Sequence, residues 1–223
     1  MLLEHLKSIV IFQDLDDSSL KGIEHFIVAK VYRAGDCIVS HSSTTPSTVM
    51  ALCSGSVRVM LHTPQGKDMV IRDVKVGELF GDWSAIDGEP RSAYVYAIKD
   101  SAVGVISKDD FLTLVTHNPQ IAFRQMQQLT SQLRGMTRRL TEFACLKANL
   151  RIQGVLMELA VPGPDGLVIQ EIASHQEIAA RAYTQREVVV RELSALQSRA
   201  LLVKFNDGFL IPRPEELDIM KIA

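Results

Sequence analysis

Cysteine is scarce in this chain, and so are the signatures that usually announce chemistry. The three cysteines, Cys37, Cys53 and Cys145, stand far apart and never as CxxC. Their odd number and spacing argue against a disulfide framework and against a zinc or iron–sulfur site, which leaves free thiols. No run of 18 apolar residues occurs, and the opening MLLEHLKSIVIFQDLDD places Glu4, His5 and Lys7 inside its would-be apolar stretch. Neither a membrane span nor a secretory signal is expected, and the expected location is the cytoplasm. GxSxG, the P-loop and HExxH are also missing, so the expectation is a protein that is not an enzyme. Net charge is only −2, which as a total argues against a nucleic-acid partner.

That total averages two unlike halves. Residues 1–120 hold 11 Lys and Arg against 15 Asp and Glu, whereas residues 121–223 hold 13 against 11. A phosphate-binding surface therefore belongs in the C-terminal half, clustered and not global. With 223 residues, 47% of them apolar and 22% charged, the chain is long enough for two domains that each bury a core.

Periodicity divides the chain further. Asp16 or Ser18 can cap a short helix over SSLKGIEHF. From Ile27 to Ser107 come β-rich runs (FIVAKVY, DCIVS, TVMALC, SVRVMLH, MVIRDV, AYVYAI, AVGVIS) separated by Gly35, Gly55, PQG at 64–66, Gly77 and DGEP at 87–90. The spacing predicts seven or so short strands in a small antiparallel sandwich or roll. Past Pro119, Ala122, Met126, Leu129, Leu133, Met136, Leu140 and Phe143 recur at alternating spacings of 4 and 3. This is a heptad seam on one long helix, too narrow for an ordinary core-facing stripe, so a second copy of the chain is the expected partner. Flanking Arg134, Arg138 and Arg139 read as solvated. Next come the amphipathic NLRIQGVLMELA, a VPGPDG breaker, and LVIQEIA as a short strand or helix start. The helices HQEIAARAY and TQREVVVRELSALQSR follow, the second with Thr184 and Glu187 at capping-box spacing. ALLVKF and FLIP then flank an Asn206-Asp207-Gly208 turn, giving two helices and a two-stranded wing, a winged helix-turn-helix.

Two stretches carry recognition chemistry. On the last helix Arg186, Glu187 and Arg191 project from the first two turns, while Val188, Val189, Leu193 and Leu196 supply an inward face. Arginine donates twice to guanine O6 and N7 and glutamate accepts from cytosine N4, a set suited to the major groove. His175, Gln176, Arg199 and Lys204 are candidate phosphate contacts. In GELFGDWSAIDGEPRSAYVYA (residues 77–97), Arg91 offers a fork and Ser92 a hydroxyl to an anion. Gly81 allows close backbone approach, and Asp82 is an acceptor for a sugar hydroxyl. On residues alone, solvated charges and a surface loop remain open alternatives to both.

GELFGDWSAIDGEPRSA resembles the phosphate-binding cassette of the bacterial cyclic-AMP receptor protein family, the Crp/Fnr transcription regulators. HQEIAARAYTQREVVVREL resembles that family's helix-turn-helix, with R-E-x-x-x-R intact as Arg186, Glu187 and Arg191. The order of parts matches over essentially the whole chain. The resemblance implies an α+β fold. A β-roll with its leading helices would occupy residues 1–117, a dimerisation helix and hinge 118–147, and a winged helix-turn-helix 148–223. It also implies a cytoplasmic homodimer that binds cyclic AMP, double-stranded DNA and RNA polymerase.

By that pattern Arg91 and Ser92 hold the cyclic phosphate, Ala93 beside them is a further nucleotide contact, Gly81 contributes backbone, and Asp82 replaces a longer glutamate on the ribose. Trp83 stands where a smaller aliphatic residue is usual and reads as core, or as a neighbour of the nucleotide. A Thr-Ser pair that contacts the base in the family falls on Met136 and Thr137, so cyclic GMP stays open as the ligand. The DNA contacts implied are His175, Gln176, Thr184, Gln185, Arg186, Glu187, Arg191 and Lys204, and the dimer contacts Met126, Leu129, Leu133, Met136, Leu140 and Phe143. The oxygen-sensing branch needs a cysteine cluster that is missing, and no arrangement of His41, His62 and Cys53 supports haem, so no metal, haem or iron–sulfur cluster is expected. Two other readings stand beside this one: an effector-independent DNA binder with a degenerate cassette, and a nucleotide module that acts on a protein partner.

Overall fold

The computed structural model describes residues 3–42, 48–63, 66–170, 174–205 and 208–221. The chain forms two compact units, residues 1–135 and 136–223, and the division falls inside its longest helix.

The first unit opens with α1 (Leu3–Ser8) and α2 (Asp17–Glu24). Asp16 caps α2 by accepting from the Ser19 amide at 2.8 Å, and Leu20 and Ile23 turn inward. β1 (Ile27–Tyr32), β2 (Cys37–Val39), β3 (Thr48–His62), β4 (Asp68–Val74), β5 (Leu79–Phe80) and β6 (Tyr94–Ser107) follow. They make one antiparallel sheet in the order β1-β6-β3-β4, with β2 on β6 and β5 on β3.

Here the structure corrects the strand count. TVMALC and SVRVMLH join through Gly55 into the single 15-residue β3, and AYVYAI and AVGVIS join into the 14-residue β6. Gly55 has a left-handed φ of 92°, and the β3–β6 register shifts around it, so the ladder bulges instead of turning. A Cβ at this position would lie 2.3 Å from the Asp100 carbonyl oxygen. The glycine therefore marks the close approach of two continuous strands and not their end. The turn residues Pro64 and Gln65 lie outside the described residues.

α3 (Trp83–Asp87) interrupts the sheet, and α4 (Lys108–His117) closes it. No pattern above announced α4. Its cap is plain in hindsight: Ser107 Oγ accepts from the Asp110 amide, and two aspartates occupy the first turn, where the helix dipole favours them. α5 (Pro119–Cys145) starts where Asn118 Oδ1 accepts from the amides of Gln120 and Ile121. One core gathers Leu6, Phe12, Leu20, Phe111 and Ile121 between the helices and the sheet, and a second fills the roll with Leu52, Phe80, Val95 and Val103.

The second unit continues through α6 (Ala148–Leu159), the hairpin β7 (Val161–Gly163) and β8 (Gly166–Ile169), α7 (His175–Arg181) and α8 (Arg186–Ser198), and ends in β9 (Val203–Phe205) and β10 (Gly208–Ile211). The sheet order is β7-β8-β10-β9. The VPGPDG breaker is thus the turn of a hairpin, and LVI of LVIQEIA is its second strand. Asn206 and Asp207 of the expected wing turn lie outside the described residues. The capping box is also corrected. α8 begins after Gln185 with no side-chain cap, whereas Ser174 caps α7 by accepting from the Glu177 amide at 3.1 Å. Both segments carry the spacing, and Thr184 loses the role because it lies one residue too early.

Candidate functional site

The cassette is held from both sides. Arg72 donates to Glu78 Oε2 at 2.7 Å and to the Leu79 carbonyl, and Gln128 of α5 both accepts from the Leu79 amide and donates to its carbonyl at 3.1 Å. β5 is thereby fixed between the roll and α5. Gly81, at φ 74°, then turns the chain into Asp82 and α3.

Arg91 lies against this turn and is 8% exposed. Its Nη1 donates to the Gly81 carbonyl at 2.6 Å and to Ser84 Oγ at 2.8 Å, and its Nη2 donates to the Thr48 carbonyl at 2.7 Å. A Cβ on residue 81 would sit 2.6 Å from Nη1, so glycine is required for space as well as for φ. Burial pushes the guanidinium pKa down and nearby Asp82 pulls it back up. An arginine stays protonated in proteins, and all three of these partners are neutral. A buried cation bonded only to dipoles is electrostatically suited to an anion. At most two of its five N–H groups remain to reach one.

Asp82 is 2% exposed, and burial pushes its carboxyl above the ordinary aspartate value. Gln125, 3% exposed on α5, donates from Nε2 to Asp82 Oδ2 at 2.6 Å. Ile121, Gln125 and Gln128 form the buried row of α5, and Gln132 continues it. Among the described residues, two buried side-chain polar atoms lack a partner, Gln125 Oε1 and Gln132 Nε2, and both are on this row.

The structure thus brings Gly81, Asp82 and Arg91 together. Ser92 is exposed, and Ala93 is half-buried just ahead of β6. Trp83 is 38% exposed, contrary to the core reading, because the five-residue α3 buries Ser84 and Ala85 and leaves Trp83 and Ile86 on its outer side. Half-buried Met136 and exposed Thr137 lie beyond the unit boundary on α5. Sequence reasoning missed Ser84, the Thr48 carbonyl and the glutamine row. The row did leave a trace, since Gln125, Gln128 and Gln132 repeat at helical spacing beside the apolar seam.

In the second unit α8 buries Val189, Leu193 and Leu196 and exposes Gln185, Arg186, Glu187 and Arg191. Thr184 and His175 are half-buried, while Gln176 and Lys204 are exposed. Arg199 is engaged with Asp218 at 2.9 Å. Along the seam of α5, Met126, Leu133, Leu140 and Phe143 are each more than half exposed, and Leu129 and Met136 are half-buried.

Two seam-region expectations change in detail. Phe143 meets the Tyr183 ring edge-on at 6.0 Å and lies under the Arg151 guanidinium at 5.2 Å. Arg139 is not simply solvated: its side chain is 20% exposed, 3.8 Å from Glu158 and within reach of the Tyr183 hydroxyl. Arg151 donates to the carbonyls of Leu146, Ala182 and Tyr183, which ties the end of α5 to the α7–α8 turn. No described helix is long and apolar enough to cross a membrane, and no described group of three or more His, Cys, Asp or Glu could hold a metal.

Residues 29–118 match the cyclic nucleotide-binding domain family, and residues 150–219 match the Crp-like helix-turn-helix domain family. The cAMP-activated global transcriptional regulator CRP of Pasteurella multocida is 30% identical over 168 residues, which cover 73% of this chain and 79% of that protein. Its namesake in Haemophilus influenzae is 30% identical over 73% of this chain and 74% of that protein. Among solved structures, the c-di-GMP-responsive global regulator CLP of Xanthomonas campestris superposes with a TM-score of 0.77 at 22% identity, covering 88% of this chain and 99% of that one. A variant of CooA from Carboxydothermus hydrogenoformans gives 0.73 at 19% identity, covering 90% and 88%. With a nucleotide-binding roll, a long helix and a winged helix-turn-helix in this order, the chain belongs to the Crp/Fnr family of DNA-binding transcription regulators.

Proposed function

We propose that the chain is a cyclic-AMP-responsive, homodimeric regulator. The observation that carries this reading is the buried Arg91 guanidinium, bonded only to neutral acceptors and pressed against Gly81 beside a buried carboxylate. A cyclic phosphodiester supplies the missing negative charge, and its ribose supplies a hydroxyl donor for Asp82. The relatives named for cyclic AMP support the choice of ligand. Ser92, Ala93, Trp83 and, farther along α5, Met136 and Thr137 complete the proposed nucleotide contacts.

Two copies associate through the exposed seam Met126, Leu129, Leu133, Met136, Leu140 and Phe143, so that two recognition helices meet two-fold related half-sites. Arg186, Glu187 and Arg191 read base edges. Thr184, Gln185, His175, Gln176 and Lys204 hold phosphates, and RNA polymerase is the downstream partner. Nucleotide binding shifts the population toward the DNA-competent arrangement, which for an off-to-on switch takes ~5 kcal/mol of differential binding.

A second reading has its own support. Arg91 with Gly81, Ser84 and Thr48, and Asp82 with Gln125, already bond to one another, an arrangement that can stand without an effector. Calorimetric titration of nucleotide-stripped protein with cyclic AMP and cyclic GMP separates the two. Saturable binding abolished by Arg91→Leu in a folded variant supports the first reading. Absence of binding by the wild type supports the effector-independent one.

A further inference from the structure

We propose that Gln125 is itself a ligand residue, whose Oε1 accepts the single ribose 2′-hydroxyl proton of the cyclic nucleotide in place of Asp82, the carboxylate serving instead to orient the amide. The inference rests on the nucleotide reading of the cassette and adds a contact from a different element, α5.

The Gln125 amide is oriented by its own bond. Nε2 donates to Asp82 Oδ2 at 2.6 Å, which turns Oε1 away from the carboxylate. That oxygen is buried and has no partner, in a residue 3% exposed. Buried acceptors are nearly always satisfied, so an unpartnered one points to a donor that the chain does not supply. The neighbouring groups say what kind of molecule carries that donor. Asp82, next in sequence to Gly81, holds the amide in place, and Arg91 beside Gly81 calls for an anion. A 3′,5′-cyclic nucleotide holds both features on one fused ring system: a phosphodiester charge and a free 2′-hydroxyl close to it. Asp82 is a short carboxylate already engaged by Gln125, so the amide oxygen, and not the carboxylate, takes the hydroxyl proton. Gln125 also precedes Met126 of the exposed seam, which puts the sugar contact on the helix that carries the proposed dimer surface.

The test is a calorimetric comparison of cyclic AMP with 2′-deoxy cyclic AMP on the full chain. The wild type is expected to prefer the ribose form by about tenfold or more, the value of one hydrogen bond in a buried polar site. Gln125→Leu is expected to bind both forms alike, near the wild-type affinity for the deoxy form. A full preference retained in Gln125→Leu would overturn the assignment and leave Asp82 as the sole ribose acceptor, and so would a wild type that does not distinguish the two ligands. If Gln125→Leu fails to fold, Gln125→Met, closer in length and with only a weakly accepting thioether, carries the same comparison. A wild type that binds neither ligand, nor cyclic GMP, would overturn the nucleotide reading itself, and this inference with it.

Discussion

At the scale of single residues the cassette is a problem in burying charge. Arg91 and Asp82 are both nearly inaccessible, and each is satisfied through neutral groups: two carbonyls and a hydroxyl for the guanidinium, an amide for the carboxylate. Removing the guanidinium by Arg91→Leu leaves three acceptors to rearrange and removes the anion partner. Nucleotide affinity is expected to fall at least a hundredfold, as a lost charge-assisted fork requires, while the far-ultraviolet spectrum persists. Unchanged affinity in a folded variant would remove the phosphate assignment. Asp82 makes a prediction in pH. Burial raises its folded-state pKa above the unfolded value near 3.8, so the folded form keeps its proton to higher pH than the unfolded chain does. Stability from this group is complete below the unfolded value and is lost as pH rises through the raised one. Asp82→Asn escapes that loss, so in denaturant titrations it should gain on the wild type as pH rises above the unfolded value of 3.8. A gap that instead turned against the variant with rising pH would show that the carboxylate is stabilised on folding.

At the scale of elements two joints decide whether the pieces work together. The first is Arg151, which bonds to carbonyls on both sides of the link between α5 and the α7–α8 turn, where Tyr183 sits at a left-handed φ of 50°. Replacing it with leucine should cost roughly 2–4 kcal/mol and lower the thermal midpoint of the second unit, since three carbonyls lose their donor at once. The second is the α5 seam. Leu133→Glu and Leu140→Glu put charge into the exposed a/d stripe proposed as the dimer surface and should leave a monomer in sedimentation velocity, with helix content unchanged. A dimer that survives both would place the interface elsewhere. Elements are also where the sequence was most and least informative. The heptad seam and the inward face of α8 were legible because long amphipathic helices repeat their signal over several turns. The fusion of two short runs into β3 was not, because a bulging glycine and a turning glycine look alike until the partner strand is placed, and in β6 the polar Lys99-Asp100-Ser101 break between apolar runs reads as a turn. Helix α4 hid because it buries only Phe111 and Leu114, too few apolar positions to establish a period.

At the scale of the whole molecule the nucleotide-binding domain and the helix-turn-helix domain belong to different units, and the division between the units falls inside α5. The cassette's Gly81, Asp82 and Arg91 could be picked out from chemistry and resemblance. The glutamine row facing them could not, because glutamine on a helix next to an apolar stripe ordinarily reads as solvated surface. On the DNA side Arg186, Glu187 and Arg191 stand exposed on one face of α8, as the spacing predicts. Arg186→Ala should cost roughly 1–3 kcal/mol and relax discrimination at one guanine, and an equal loss on every sequence would make it a phosphate contact instead. Whether nucleotide in the roll licenses DNA reading by α8 can be measured by fluorescence anisotropy of a duplex with two-fold related TGTGA/TCACA half-sites. The duplex is titrated with nucleotide-stripped protein at one fixed salt concentration, with and without cyclic AMP. Tight binding is expected only when cyclic AMP is present, and equal binding in its absence would refute the coupling.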